Sequence, residues 1–143
     1  FGQIERWPNA KEKAKWAEPS GNGELLVIDG YFGRMFRSSK DCVEFALNEF
    51  VRRYTECCKR LDEDPAGEYF EVMSYNDLYS LLNILPSVAG DEFGYTNSED
   101  YRVEMGFDIQ MITEGGWTED FGEPYLYFEP YEWCRPDPCY KEV

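Results

Sequence analysis

Three pairs of neighbouring carboxylates, Asp91-Glu92, Glu99-Asp100 and Glu119-Asp120, stand in glycine-rich or polar stretches of the chain. Paired acids on loops are what glycosidases use as acid and nucleophile, and what calcium or magnesium uses as oxygen ligands. Such chemistry requires buried carboxyls with displaced pKa values, whereas exposed loop acids keep ordinary ones. The three pairs are therefore read as solubilising charge. The sequence holds no histidine, which removes Ser-His-Asp and Cys-His nucleophiles, His-ligated zinc and imidazole proton transfer together. Gly21-Asn-Gly23 and Gly115-Gly116 lack the Lys and Ser/Thr of a phosphate-binding loop and read as turns. Residues 62–67 have the acids and sixth-position glycine of a calcium loop, but the twelfth position is Met73, where a bidentate Glu is needed.

The five cysteines are Cys42, Cys57, Cys58, Cys134 and Cys139. An odd count and a wide scatter argue against a disulfide framework, and no four gather at zinc-ligand spacing. Cys42 and the Cys57-Cys58 pair fall in a helical pattern as small apolar side chains. In an oxidising compartment Cys134 and Cys139 would close a small loop. No catalytic, cofactor-binding or metal-ligating residue is assigned, no cofactor is expected, and the chain is read as non-enzymatic.

What remains is an acidic and aromatic C-terminal half. The net charge of −15 is unevenly placed: residues 1–61 hold 11 Lys/Arg against 9 Asp/Glu, and residues 62–143 hold 3 against 20. Such a half repels phosphate backbones, so direct nucleic-acid binding is not expected. Tyr125, Tyr127, Phe128, Tyr131, Trp133 and Tyr140 exceed what one sheet face needs, and Tyr and Trp anchor interfaces. The candidate partner-binding residues are Trp117, Phe121, Tyr125, Tyr127, Tyr131 and Trp133, with Asp91 and Glu92.

The elements that position these residues follow from periodicity. At 143 residues, 43% hydrophobic and 17% aromatic, the chain suits one folded domain, and no run approaches the ~18 apolar residues of a spanning helix. Residues 9–17 read as a short basic helix, and Pro19–Gly23 as a linker. Leu25–Asp29 is a strand, Gly30–Gly33 a turn and Arg34–Arg37 the returning strand. Ser38-Ser-Lys-Asp41 reads as a capping box, followed by Val43, Ala46, Leu47, Phe50, Tyr54, Cys57 and Leu61 as one buried helical stripe. Glu49–Arg53 and Glu56–Arg60 should pair along its exposed side. Tyr69–Met73 is a short strand, and Ser74–Asp77 caps a brief helix carrying Leu78, Leu81, Leu82 and Leu85 up to Pro86. Gly90–Tyr95 reads as a loop whose glycines serve unusual angles or close approach. From Tyr101 to Met111 the period becomes two, a half-buried antiparallel strand, and Pro124–Glu129 returns beside it, with Pro130 marking a sheet edge or rim. The expected fold is α+β: a small antiparallel sheet of two hairpins plus a short strand, packed on one long and one short helix. The expected organisation is a basic helix and linker over 1–23, a single domain over 24–133 and a tail over 134–143.

Four stretches, taken in order, resemble a family of unknown function from phages and prophages of Firmicutes. They are Leu26–Ser38, with Asp29 and Gly33-Arg34-x-Phe36; Ser74–Leu85; Gly90-Asp-Glu-Phe-Gly-Tyr95; and the alternating strand followed by Gly122–Tyr131. Tyr95 for Trp, Asn83 for Gly, the enlarged 113–122 loop and the cysteine-bearing tail depart from the family pattern. The resemblance implies a phage-encoded accessory domain with a structural or protein-interaction role in the virion or infected cell. It would act through the acidic, aromatic C-terminal surface on a protein partner, a second copy included. With Phe1 at its start, the chain looks like the soluble C-terminal domain of such a protein, located in the virion or host cytoplasm. It would be membrane-associated only through a segment upstream. The alternative is an acidic nucleic-acid mimic that inhibits a host defence or transcription protein.

Overall fold

A computed structural model describes residues 10–139, so Asn9 of the expected basic helix and Tyr140 lie outside the described residues. The fold is α+β. The chain sorts into two compact units, each assembled from separated stretches: residues 1–43 with 108–129, and 44–107 with 130–143. The boundaries fall within a helix and at strand ends, where no Pro/Gly-rich stretch marks them.

The first unit holds helix α1 (Ala10–Lys15) and a five-stranded sheet in the order β1-β3-β2-β7-β6. Strand β2 (Leu25–Asp29) pairs antiparallel with β3 (Arg34–Ser38), the expected hairpin. Its turn is set by Asp29, whose buried carboxylate accepts the N–H groups of Tyr31 and Phe32. Gly33 then takes φ 77°, a left-handed angle that glycine adopts without penalty. Two features depart from the expected single antiparallel sheet. Glu18–Pro19, expected within or beside the linker, forms strand β1 parallel to β3, and β7 (Tyr125–Pro130) runs parallel to β2. Strand β7 lies between β2 and β6 (Phe107–Ile112), so it is interior rather than marginal. A strand enclosed on both faces is continuously apolar, and Leu26, Val27 and Ile28 are all buried.

One face of this sheet carries Leu26, Ile28 and Tyr125 against Ala14 of α1 and Phe121 of α5 (Thr118–Phe121). The other carries Val27, Phe36, Leu126 and Phe128, all buried, with Phe36 and Phe128 edge to face at 6.4 Å. Arg37 fastens the rim: it donates to both carboxylate oxygens of Glu123, at 2.6 and 3.1 Å, and to the carbonyls of Ala14 and Glu24.

Helix α2 (Lys40–Asp62) starts in the first unit and supplies the long helix of the second. Its cap is Ser39, whose hydroxyl accepts the Cys42 N–H, one residue later than the box expected at Ser38. The stripe is buried from Val43 to Cys57, with Leu61 half-buried. The second unit adds β4 (Val72–Ser74), α3 (Tyr75–Leu81), α4 (Val88–Glu92), β5 (Phe93–Thr96) and β8 (Asp137–Pro138), with sheet order β4-β5-β8. Asp77 accepts the Ser74 N–H at 3.0 Å, as the cap requires. Helix α3 stops before the expected Leu85, which is 70% exposed. Asn83 at φ 63° ends it, with Asn83 N–H on the Ser80 carbonyl and Ile84 N–H on the Tyr79 carbonyl, a Schellman closure. The stretch Gly90–Tyr95, expected as a loop, is the end of α4 and the start of β5. Its glycines serve close approach: a Cβ at Gly94 would stand 2.3 Å from the Met73 carbonyl oxygen. Residues 101–106 are not strand, and Tyr101 is 69% exposed, so the alternation over 101–111 overstates β6. A 3₁₀ turn (Glu132–Cys134) leads into the expected tail over 134–143, which among its described residues carries β8.

Asn97, fully buried, pins the second unit. Its amide nitrogen donates to the Cys57 and Tyr69 carbonyls at 2.9 and 2.7 Å, and its amide oxygen accepts the Glu71 N–H at 2.8 Å. Tyr95 packs edge-on against Phe50 and Tyr54 and donates its hydroxyl to the Cys134 carbonyl at 2.7 Å. The Tyr95 phenol thus reaches the cysteine-bearing segment.

Candidate functional site

The aromatic candidates separate into two groups of opposite character. Trp117, Phe121 and Tyr125 form one cluster, with centroids 5.5–6.4 Å apart. Phe121 and Tyr125 are buried beside Ala14, Leu26 and Ile28, and Trp117 and Tyr127 pack against them half-buried. The Tyr127 ring occupies the space above Gly30, where a Cβ would stand 2.2 Å from its hydroxyl. Phe121 and Tyr125 belong to the core, with Trp117 and Tyr127 half-buried against them, because α5 turns Trp117 and Phe121, four residues apart, onto the sheet.

Tyr131 and Trp133 behave differently. Their rings stack at 4.8 Å and 25°, yet they are 38% and 62% exposed. The pair is built into the backbone. The Trp133 indole N–H donates to the Glu104 carbonyl at 3.0 Å, and the Tyr131 N–H to the Gly106 carbonyl at 3.1 Å. A Cβ at Gly106 would stand 2.6 Å from the Tyr131 ring, so a residue without one is what lets the ring lie there. Glu104 and Glu132 are exposed beside the pair, and neither carries an ion pair or hydrogen bond from its side chain among the described residues.

Asp91 and Glu92 lie exposed on the last turn of α4, with no hydrogen bond or ring contact joining their side chains to either aromatic group among the described residues. Elsewhere many acids serve local structure. Glu18 pairs with Arg34, Glu123 with Arg37 and Asp62 with Arg102, while Asp64 accepts the N–H groups of Ala66, Glu68 and Tyr69. Among the described residues, no three Cys, Asp or Glu side chains gather to hold a metal ion.

All five cysteines are thiols, none in a disulfide. Cys57 and Cys134 are buried, whereas Cys42 and Cys58, expected among the apolar stripe, are only half-buried. The Cys57 thiol donates to Glu71 at 3.0 Å, and burial, reinforced by that carboxylate, pushes it up to about 12. A thiol so held is a poor nucleophile. Cys134 donates to the Gly106 carbonyl, and Cys139 to the Asp137 carbonyl.

One feature escapes the sequence reading. A cleft of about 360 Å³ in the second unit is lined by Arg52, Arg53 and Arg60 above Phe50, Met73 and Leu81. On a helical wheel these arginines fall on the polar face, which reads as solvated surface.

Comparison with family models, with curated proteins and with solved structures finds no match.

Proposed function

We propose that this chain is a non-enzymatic interaction module, of the phage accessory kind its motif order resembles, and that it docks a protein partner through Tyr131 and Trp133. The stacked, half-exposed pair is the observation that carries this reading. Large aromatic rings stay exposed at entropic advantage when their geometry is already fixed, and here two backbone hydrogen bonds fix it. The neighbouring Glu104 and Glu132, exposed and unpaired among the described residues, give the partner its chemistry. A segment bearing Arg or Lys would lay its cations on the ring faces and its charge against the two carboxylates. A second copy of the chain brings another net charge of −15 and is disfavoured as the occupant.

The test uses Trp133→Ala and Gly106→Ala, the latter displacing Tyr131 while leaving both aromatic residues in the chain, beside Phe121→Ala as a core control. Trp133→Ala should leave the unfolding midpoint nearly unchanged, whereas Phe121→Ala should lose about 3–5 kcal/mol. A partner purified from infected host cells should bind the intact chain with an affinity that falls with salt and drops at least tenfold in both surface variants. Equal binding by wild type and Trp133→Ala would refute the reading, and a dimer lost in Trp133→Ala would replace it with self-association.

A further inference from the structure

The arginine-lined cleft is separate in residues from the aromatic pair and has its own chemistry. Its volume of about 360 Å³ falls at the lower end of ligand cavities, which run from about 300 to 1,000 Å³. Its floor is apolar, from Phe50, Met73 and Leu81, and its rim carries three guanidinium groups. The acids at the site are largely committed. Glu49 alone serves both Arg52, at 2.7 Å, and Arg53, at 3.0 Å, and these guanidinium groups hold its carboxyl down to about 2. Glu71 accepts the Cys57 thiol and Asp77 accepts the Ser74 N–H. Glu56 acts on Arg52 through charge. The Glu56–Arg60 pair expected from the i,i+4 spacing is not formed, and Arg60 carries no ion pair or hydrogen bond among the described residues. The cleft therefore presents spare N–H donors of fixed planar geometry above an apolar floor. Guanidinium groups bind carboxylates and related anions through paired hydrogen bonds.

We propose that this cleft binds a small amphiphilic anion, a carboxylate or sulfonate on an alkyl or aryl body, with Arg60 taking the anionic head and Met73 and Leu81 the apolar body. Binding is reversible and non-covalent, because the one thiol in the cleft is held protonated by its surroundings.

Octanoate is a suitable probe, titrated into the full chain and followed by NMR, with octanol and octylamine as the neutral and cationic counterparts. Octanoate should saturate, shift the signals of Cys57, Met73 and Leu81, and bind at least tenfold more tightly than either counterpart. Arg60→Gln should weaken it about tenfold, the loss of a hydrogen bond to a charged group. Lys59→Gln removes an exposed neighbouring cation outside the cleft and should leave affinity unchanged. Equal binding of octanol, equal weakening by Lys59→Gln, or shifts confined to other residues would each overturn the proposal.

Discussion

Asn76 grips Ser87 twice: its amide nitrogen donates to the Ser87 carbonyl and its amide oxygen accepts the Ser87 N–H, both at 2.9 Å. The Ser87 hydroxyl in turn accepts the Gly90 N–H at 2.9 Å and caps α4. A Cβ at Gly90 would stand 2.2 Å from the Asn76 amide oxygen. The stretches Ser74–Leu85 and Gly90–Tyr95 are thus tied by one structural device, in which the amide side chain replaces a missing backbone partner and the glycine makes room for it.

This contact predicts a coupled pair. Asn76→Ala leaves two backbone groups without their partner and should cost about 2 kcal/mol. Gly90→Ala should be comparably damaging in the wild type but clearly less so once Asn76 is Ala, when the Ser87 hydroxyl, 3.0 Å from the new Cβ, is the neighbour that must yield. Urea unfolding of the two single variants and the double variant would show this as a loss well below the sum. Strict additivity would contradict it.

Asn83 offers a second case. Its left-handed backbone is one that glycine adopts freely and a residue with a Cβ adopts at about 1–2 kcal/mol, Asn being the best tolerated. Asn83→Gly should therefore match or exceed wild-type stability, whereas Asn83→Ala should lose about 1 kcal/mol. Thermal melts of the two variants decide the matter, and the reverse order would be inconsistent with the Schellman closure.

Cys57 sets a pH dependence. Below its ordinary value of 9.0 the thiol is neutral in both folded and unfolded chains, and the stabilisation of the neutral form is fully present. Between 9.0 and about 12 the unfolded chain releases the proton while the folded chain retains it. Stability should then fall as pH rises, by at most about 1.4 kcal/mol per pH unit for one group. Tyr54, pushed up to about 12 chiefly by burial, adds to the fall above pH 10. Urea midpoints measured across this range should flatten in Cys57→Ala, and an unchanged slope would exclude Cys57 as the source.

The hairpin over residues 25–38 and helix α2 were legible because a short apolar run and a 3.6-residue stripe each admit one reading. The parallel placement of β7 beside β2 was not, since a strand's side-chain period is the same in either direction. The only hint was that Leu26, Val27 and Ile28 show no alternation. Alternation misled at Tyr101–Gly106, where apolar and polar residues alternate without ladder partners. Of the candidate residues, Trp117 and Phe121 carried a warning in their spacing of four, which places two rings on one helical face. Tyr131 and Trp133, two apart, carried none against exposure. The arginine cleft was hidden because its floor comes from α2, β4 and α3, which only the tertiary fold brings together.

Strand β2 finds its parallel partner only at Tyr125, almost a hundred residues downstream, in register Leu26↔Tyr125. During synthesis the apolar run Leu25–Ile28 therefore leaves the ribosome long before the strand that will shield one of its edges. Until then the nascent chain carries a sticky, half-made sheet. Contacts so distant in sequence also slow folding, so this small protein should emerge as a slow folder that leans on chaperones while it is being made.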